Sequence, residues 1–316
     1  MGLVGRGRNY PRFGAFFENL ENKIYKRNWP ARLAFKLRMQ NKIDVIHHTI
    51  HSPRLPQSAP PLKIAFASDF HSGPMTHNTF LKRAIQQIDQ LQADLILLGG
   101  DFVTYEAQNI DVLASELARL QAPLGIYAVL GNHDLWADDA YIVAQLENAG
   151  VQVLINRNIK LPAPFSDISL CGLDDWWAGA PDRAAAFEGA EESRIVLMHS
   201  PENYKDLEDD TFEVAFCGHT HGGQIALPGR KPLILPGRVS ITAAHDDYCK
   251  KYNYGRFNLD DKVLIVSNGV GYGGLPIRLI AWPEIVCCQL KHTEALPANG
   301  KMTNGTMKVP VHGSCN

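Results

Sequence analysis

From Leu62 onward the chain alternates short apolar runs with amphipathic stretches. The apolar runs fall at 62–68, 94–99, 125–130, 151–155, 168–172, 194–198, 213–217, 263–267 and 285–290. They have strand length and are bounded by turn-forming residues. Between them, apolar residues recur at helical spacing over 78–91, 109–120 and 138–149, the last opening after the Asp138-Asp139 pair. Such alternation predicts a layered α/β architecture, and two helix-flanked sheets account for so many strands.

The chain before Leu62 has another texture. Phe13, Phe16, Phe17, Leu20 and Ile24 recur at helical spacing with Lys and Arg between and after them. Trp29-Pro30 interrupts this pattern, and a second basic stretch with Leu33, Leu37 and Met39 follows. Ser52 to Pro61, with four prolines, reads as a linker. After Lys291 the composition turns to Asn, Gly, Thr and Lys with little periodicity. Three segments result: a basic amphipathic arm and linker over 1–61, a folded domain over 62–291, and a disordered tail over 292–316.

Charge sharpens the picture of the arm. Residues 1–42 hold ten Lys/Arg and two acidic residues, a balance of +8 against −10 for the rest. A basic arm on an acidic body is not a nucleic-acid footprint, so no nucleic-acid partner is expected. The arm either packs on its own domain or a partner, or lies on an anionic membrane surface with Trp and Phe buried and Lys/Arg facing headgroups. No apolar run approaches the roughly 18 residues of a membrane-spanning helix. The six cysteines form no CxxC pair, which points to a reducing compartment rather than a disulfide framework. The N-terminus lacks the continuous apolar stretch of a secretory signal. A cytoplasmic location is therefore expected.

Five polar segments stand out against the apolar strands, and four of them end one. They are Asp69-Phe70-His71, Gly100-Asp101, Gly131-Asn132-His133-Asp134, Met198-His199 and Gly218-His219-Thr220-His221. Loops beyond the carboxyl ends of strands are where α/β folds bind ligands. Asp69, His71 and His221 offer a carboxylate and two imidazoles to one metal ion. Asn132, His199 and His219 offer an amide oxygen and two imidazoles to a second, and Asp101 has oxygens to bridge them. A mixed N/O set without thiolate favours Mn, Fe, Zn or Co over Ca or Mg. Two divalent ions and two carboxylates leave about +2 facing the substrate. That excess binds an anionic phosphoryl group and lowers the pKa of a bridging water.

In this order the five segments resemble the motif series of calcineurin-like metallophosphoesterases. The motifs span 69–221, and the resemblance implies a four-layer αββα sandwich with two mixed sheets, 62–291 being its catalytic domain. It implies two bound divalent ions, manganese first among those named, and metal-dependent hydrolysis of a phosphoester or pyrophosphate. It gives His133 the role of stabilising the transition state or protonating the leaving group. His133 follows a ligand directly and reaches the phosphoryl group unbound, with Asp134 expected to orient it.

Three further features are similar to one bacterial branch of the superfamily: His219-Thr220-His221-Gly222-Gly223-Gln224, Gly271-Tyr272-Gly273-Gly274-Leu275-Pro276-Ile277-Arg278, and Pro283-Glu284. That branch includes broad phosphodiesterases and enzymes resembling UDP-2,3-diacylglucosamine hydrolases, which cleave a pyrophosphate in lipid A synthesis at the cytoplasmic face of the inner membrane. The better-known lipid A hydrolases carry Arg where this chain has His133, a departure from them though not from the branch. Arg278 is expected either to clamp a substrate phosphate or to form a surface ion pair. Trp176-Trp177 would wall the site for acyl chains or pack under a loop. A general phosphodiesterase or phosphatase, and a non-catalytic membrane-associated metal-binding scaffold, are the competing functions.

Overall fold

The computed structural model describes residues 5–9, 24–55, 57, 59–233 and 248–293. In chain order, α1 (Trp29–Lys36) and β1 (Asp44–Ser52) precede β2 (Leu62–Ala67), α2 (Asn78–Gln90), β3 (Leu95–Leu98) and α3 (Ile110–Leu117). Next come β4 (Ile126–Ala128), α4 (Asn132–Trp136), α5 (Asp139–Asn148) and β5 (Gln152–Val153). The chain continues through β6 (Arg157–Lys160), β7 (Ile168–Gly172), α6 (Arg183–Phe187), β8 (Ser193–Leu197) and β9 (Val214–Cys217). It ends with β10 (Ala226–Leu227), β11 (Lys231–Pro232), α7 (Tyr248–Lys251), β12 (Gly255–Leu259), β13 (Lys262–Val266) and β14 (Glu284–His292).

Two six-stranded mixed sheets result. The first has the order β1-β14-β2-β3-β4-β5, and the second β12-β13-β9-β8-β7-β6. β2 to β5 are parallel, while β14, the last of the described strands, returns antiparallel to β2 and lies between it and β1. In the second sheet β13, β9, β8 and β7 are parallel, flanked by antiparallel β12 and β6.

Side-chain alternation builds the layers. On β2, Ile64 and Phe66 point into the space between the sheets, while Ala65 and Ala67 point to the helices. Phe66 meets Phe216 of β9 across that space at 5.2 Å between ring centroids. The outer face of the first sheet packs on Phe80, Ile85 and Ile88 of α2, Leu113 of α3 and Leu146 of α5. The outer face of the second carries Val196, Ala215 and Leu264 against Ala186 of α6, Tyr204 and Tyr252. With both faces covered, the inner strands read as continuous apolar runs, since each buried large apolar side chain contributes about 1.5–3 kcal/mol. The fold is the expected four-layer αββα sandwich.

The segment before Leu62 differs from a separate arm. β1 pairs with β14 along its whole length, from Asp44↔Glu284 to Ser52↔His292. As an edge strand it exposes His47, Thr49 and His51 on one face, which dilutes its apolar signal. The linker is also tied down, with Arg54 paired to Glu213 at 2.7 Å and Asp261 at 2.5 Å. The apolar repeat over Phe13–Leu20 lies outside the described residues, as does 294–316 of the expected tail.

Candidate metal centre

The five polar segments follow β2, β3, β4, β8 and β9, so both sheets aim the carboxyl ends of parallel strands at one place. Five residues there adopt left-handed backbone: Asp69 (φ 54°), His71 (44°), Asp101 (53°), His219 (66°) and His221 (52°). Each such non-glycine residue costs roughly 1–2 kcal/mol, and strain of this kind concentrates at functional sites. It turns each side chain sharply out of its strand toward the common centre. Two glycines permit the crowding. A Cβ at Gly131 would stand 2.2 Å from Asp101 Oδ1, and one at Gly218 would stand 2.1 Å from Asp69 Oδ2.

The donors converge in three overlapping groups, one around Asp69, His71 and His221, one around Asp101, His199 and His219, and a third, His71, Asp101 and His133, that links them. In the first, His71 Nε2 lies 3.0 Å from His221 Nε2, which lies 3.7 Å from Asp69 Oδ1. In the second, His199 Nε2 lies 3.2 Å from Asn132 Oδ1 and 3.2 Å from His219 Nδ1. Asp101 stands between them. Its Oδ1 accepts the His133 amide at 2.9 Å, while Oδ2 sits 3.6 Å from His71 Nε2 and 3.4 Å from His199 Nε2. Among the candidate ligands His199 is oriented from behind, its Nδ1 donating to the Gly99 carbonyl at 2.7 Å and leaving Nε2 toward the centre. Asp69 is held by Ser68 Oγ at 2.5 Å and the His219 amide at 3.0 Å.

Electrostatics tests whether this set suits cations. Burial pushes His71 and His219 down to about 3, so both imidazoles are neutral near pH 7. Burial, with help from Arg278, holds His221 well below its usual range. Burial pushes Asp69 up to about 6. Against burial, facing His199, His133 and His71 hold Asp101 well below the usual carboxylate range. His71 Nε2 and His221 Nε2 crowd to 3.0 Å beside the buried carboxylates of Asp69 and Asp101, and against burial Asp101 holds His199 well above the usual imidazole range, so the cluster has a deficit of fixed positive charge that a proton on His199 fills only in part. Two metal ions fit that deficit, each with a mixed N/O shell.

His133 opens the first turn of α4 beside the first group, its ring 4.9 Å from that of His71. Its Nδ1 donates to the Thr104 carbonyl at 2.6 Å. Asp134 does not orient it. The Asp134 carboxylate turns back to accept the amides of Phe102 (2.8 Å), Val103 (3.2 Å) and Gly131 (3.0 Å). Successive helical residues do not face each other, so Asp134 caps α4 and braces the Gly100–Val103 loop instead.

Arg278 also sits elsewhere than expected. It is 5 % exposed, and its guanidinium donates to the carbonyls of Gly271 (2.9 Å) and Asn268 (2.7 Å), with Nη2 2.9 Å from His221 Nδ1. It braces the loop behind His221 rather than facing the cleft. Trp177 stacks on His219 at 5.8 Å, and Trp136 packs on His133 at 5.4 Å. Trp136 went unnoticed in the sequence, although its i+3 spacing from His133 was the available signal. The Thr104 and Gly99 carbonyls carried none, being backbone atoms.

Comparison with known proteins bears on this centre directly. Residues 62–223 match the calcineurin-like phosphoesterase family. The chain is 30% identical over 259 residues to the uncharacterized metallophosphoesterase YkuE of Bacillus subtilis, covering 79% of this chain and 86% of that protein. It is 31% identical over 239 residues to the phosphodiesterase YaeI of Escherichia coli, covering 74% and 83%. Among solved structures, a 5'-nucleotidase precursor from Thermus thermophilus aligns at 13% identity and a TM-score of 0.42, covering 73% of this chain and 54% of that one.

Proposed function

The chain belongs to the calcineurin-like phosphoesterase family and is a phosphoester hydrolase; from that premise we propose a dinuclear, manganese-loaded enzyme acting on a lipid-linked pyrophosphate at a membrane surface. The observation that carries the chemistry is Asp101 Oδ2, set between His71 and His199 of the two donor groups. Asp69, His71 and His221 would hold one ion and Asn132, His199 and His219 the other, with Asp101 placed to serve both. When bound, the ions supply Lewis acidity to the phosphoryl group and a water-derived nucleophile at neutral pH. His133, its Nδ1 proton committed to Thr104, would act through Nε2, which in the imidazolium gives its proton to the leaving oxygen and regains it from the water consumed. Asp134 keeps the Gly131–His133 turn in place through its three amide bonds. Trp136 and Trp177 exclude water from one side.

The membrane reading is supported by an apolar face beside the centre. α1 buries Pro30, Ala31 and Ala34 on the domain and leaves Trp29, Leu33 and Leu37 exposed as an i, i+4, i+8 stripe. Together with Met39, Leu275 and Ile277 they line a cleft of about 200 Å³. Lys26, Arg27, Arg32, Lys36, Arg38 and Lys42 are exposed on the same segment. An apolar stripe on a cationic segment suits an anionic lipid surface. The face adjoins the site: Gly273, two residues before Leu275 in the loop, approaches His71 and His221, and Gln224 Nε2 donates to the Leu275 carbonyl at 2.7 Å. Among the described residues no helix is long and apolar enough to cross a membrane.

UDP-2,3-diacylglucosamine, cleaved at the cytoplasmic face of the inner membrane in lipid A synthesis, is the specific substrate proposed. A general phosphodiester is the second reading, supported by the E. coli relative's name, phosphodiesterase. Assay of the manganese-loaded protein on both substrates separates them. Fast cleavage of the lipid is expected. Turnover of a generic aryl diester alone would remove the lipid assignment and keep the chemistry.

A further inference from the structure

Residues 5–9 read Gly-Arg-Gly-Arg-Asn and lie along the rim of the centre, bonded to both sides of it. The Gly7 amide donates to the Leu135 carbonyl in α4 at 2.8 Å, and the Arg8 amide to the Ala178 carbonyl at 2.7 Å. Trp136 Nε1 donates to the Arg8 carbonyl at 2.7 Å, and Asn9 Nδ2 to the Trp177 carbonyl at 2.9 Å. The Arg8 backbone is thereby joined to the neighbourhood of two tryptophans that pack on His133 and His219.

The seat fits this order of residues. A Cβ at Gly5 would stand 2.2 Å from the Leu135 and Ala137 carbonyl oxygens, and one at Gly7 would stand 2.6 Å from that of Leu135. Backbone does not yield as a flexible side chain does, so both positions require glycine. Arg6 fastens the segment. Its Nε donates to Asp139 at 2.8 Å, and Nη1 and Nη2 grip Asp174 bidentately at 2.6 and 2.8 Å. Asp139 opens α5, and Asp174 lies after β7 in the loop that carries Trp177, so one guanidinium ties both rims together.

Arg8 has neither task. It is exposed, and among the described residues it has no ion-pair partner. Arg278, the cation behind His221, is engaged with carbonyls. We infer that residues 5–9 form a substrate-binding strap whose Arg8 guanidinium binds a second phosphoryl group of the substrate, adjacent to the one held at the metal centre. This deepens the hydrolase reading and rests on it: the substrate class becomes a phosphoester carrying a neighbouring phosphoryl group, as a pyrophosphate diester does. The planar fork of Arg matches a phosphoryl oxygen pair.

Titration calorimetry of the manganese-loaded protein with methylenediphosphonate and methylphosphonate, neither of which turns over, tests this. The unaltered protein should bind the bisphosphonate at least tenfold more tightly. Arg8→Ala should lose about tenfold on the bisphosphonate, equivalent to about 1.4 kcal/mol, and no more than about twofold on the monophosphonate. Arg8→Lys should recover part of the preference, and Arg6→Ala, which unfastens the strap while keeping Arg8, should lose it. Equal losses on both ligands, or none on either, would overturn the strap. Turnover of an aryl diester by the unaltered protein, measured in parallel, decides the hydrolase reading separately.

Discussion

His133 Nδ1 donates to the Thr104 carbonyl across 2.6 Å, which fixes the tautomer of the one site histidine assigned no metal. Because a carbonyl only accepts, Nδ1 keeps its proton and Nε2 is the atom free to exchange one. His133→Asn keeps a donor for Thr104 but has nothing at the Nε2 position. It should retain both metal ions by elemental analysis and lose about 10²–10⁴-fold in kcat. A normal rate would remove His133 from the chemistry.

Arg278 provides a second test, because its two roles differ in what they disturb. As a brace its removal strips donors from buried carbonyls, each worth about 1–3 kcal/mol. Arg278→Ala should lower the thermal midpoint by several degrees and weaken metal retention at the His221 group. A higher KM at unchanged stability and metal content would restore the phosphate-clamp role instead.

The apolar face should act without touching the chemistry. Leu33→Glu with Leu37→Glu places two charges in the stripe of α1. Sedimentation with vesicles containing anionic lipid should fall at least tenfold, with aryl diester turnover preserved. Undiminished vesicle binding would disprove the membrane face.

Stability of the chelated protein should depend on pH in a defined direction. Burial pushes Asp175 and Glu284 up to about 7 each. Both folded values stand above the unfolded carboxylate range, so the folded state holds protons that the unfolded state releases. That contribution is full below the unfolded pKa and is lost as pH rises through about 7. Because the buried histidines titrate the opposite way over the same range, the test is the difference from Asp175→Asn with Glu284→Gln: in chelator the unaltered protein should lose on the order of 1 kcal/mol per group more than that variant between pH 6 and pH 8. Equal pH dependence in the two proteins would contradict these burials.

Much of the fold and the donor set was legible because both depend on local signals. Fully buried strands leave continuous apolar runs, and turn glycines beside Asp, Asn and His mark where those runs end. β1 was missed because an edge strand leaves one face to water, so His47, Thr49 and His51 interrupt its apolar pattern. The expectation that Asp134 orients His133, by analogy with other carboxylate–histidine pairs, failed for a local reason: the two open a helical turn, where successive residues diverge, and the carboxylate turns to the Phe102, Val103 and Gly131 amides. Arg278 was misplaced for a distant one: Gly271, Asn268 and Ala281 surround it only once the loop folds back on His221. The strap at Gly5-Arg6-Gly7-Arg8 carried no periodicity, and its seat is made of carbonyls about 130 residues away in sequence.

The central claim is that Asp101 joins two metal ions into one hydrolytic centre. The most direct measurement is metal content by elemental analysis together with aryl phosphodiester turnover, for the unaltered protein and for Asp101→Ala. The account predicts two ions per chain and measurable turnover in the first, and loss of metal and activity together in the second. Full metal occupancy with retained turnover in Asp101→Ala would contradict it.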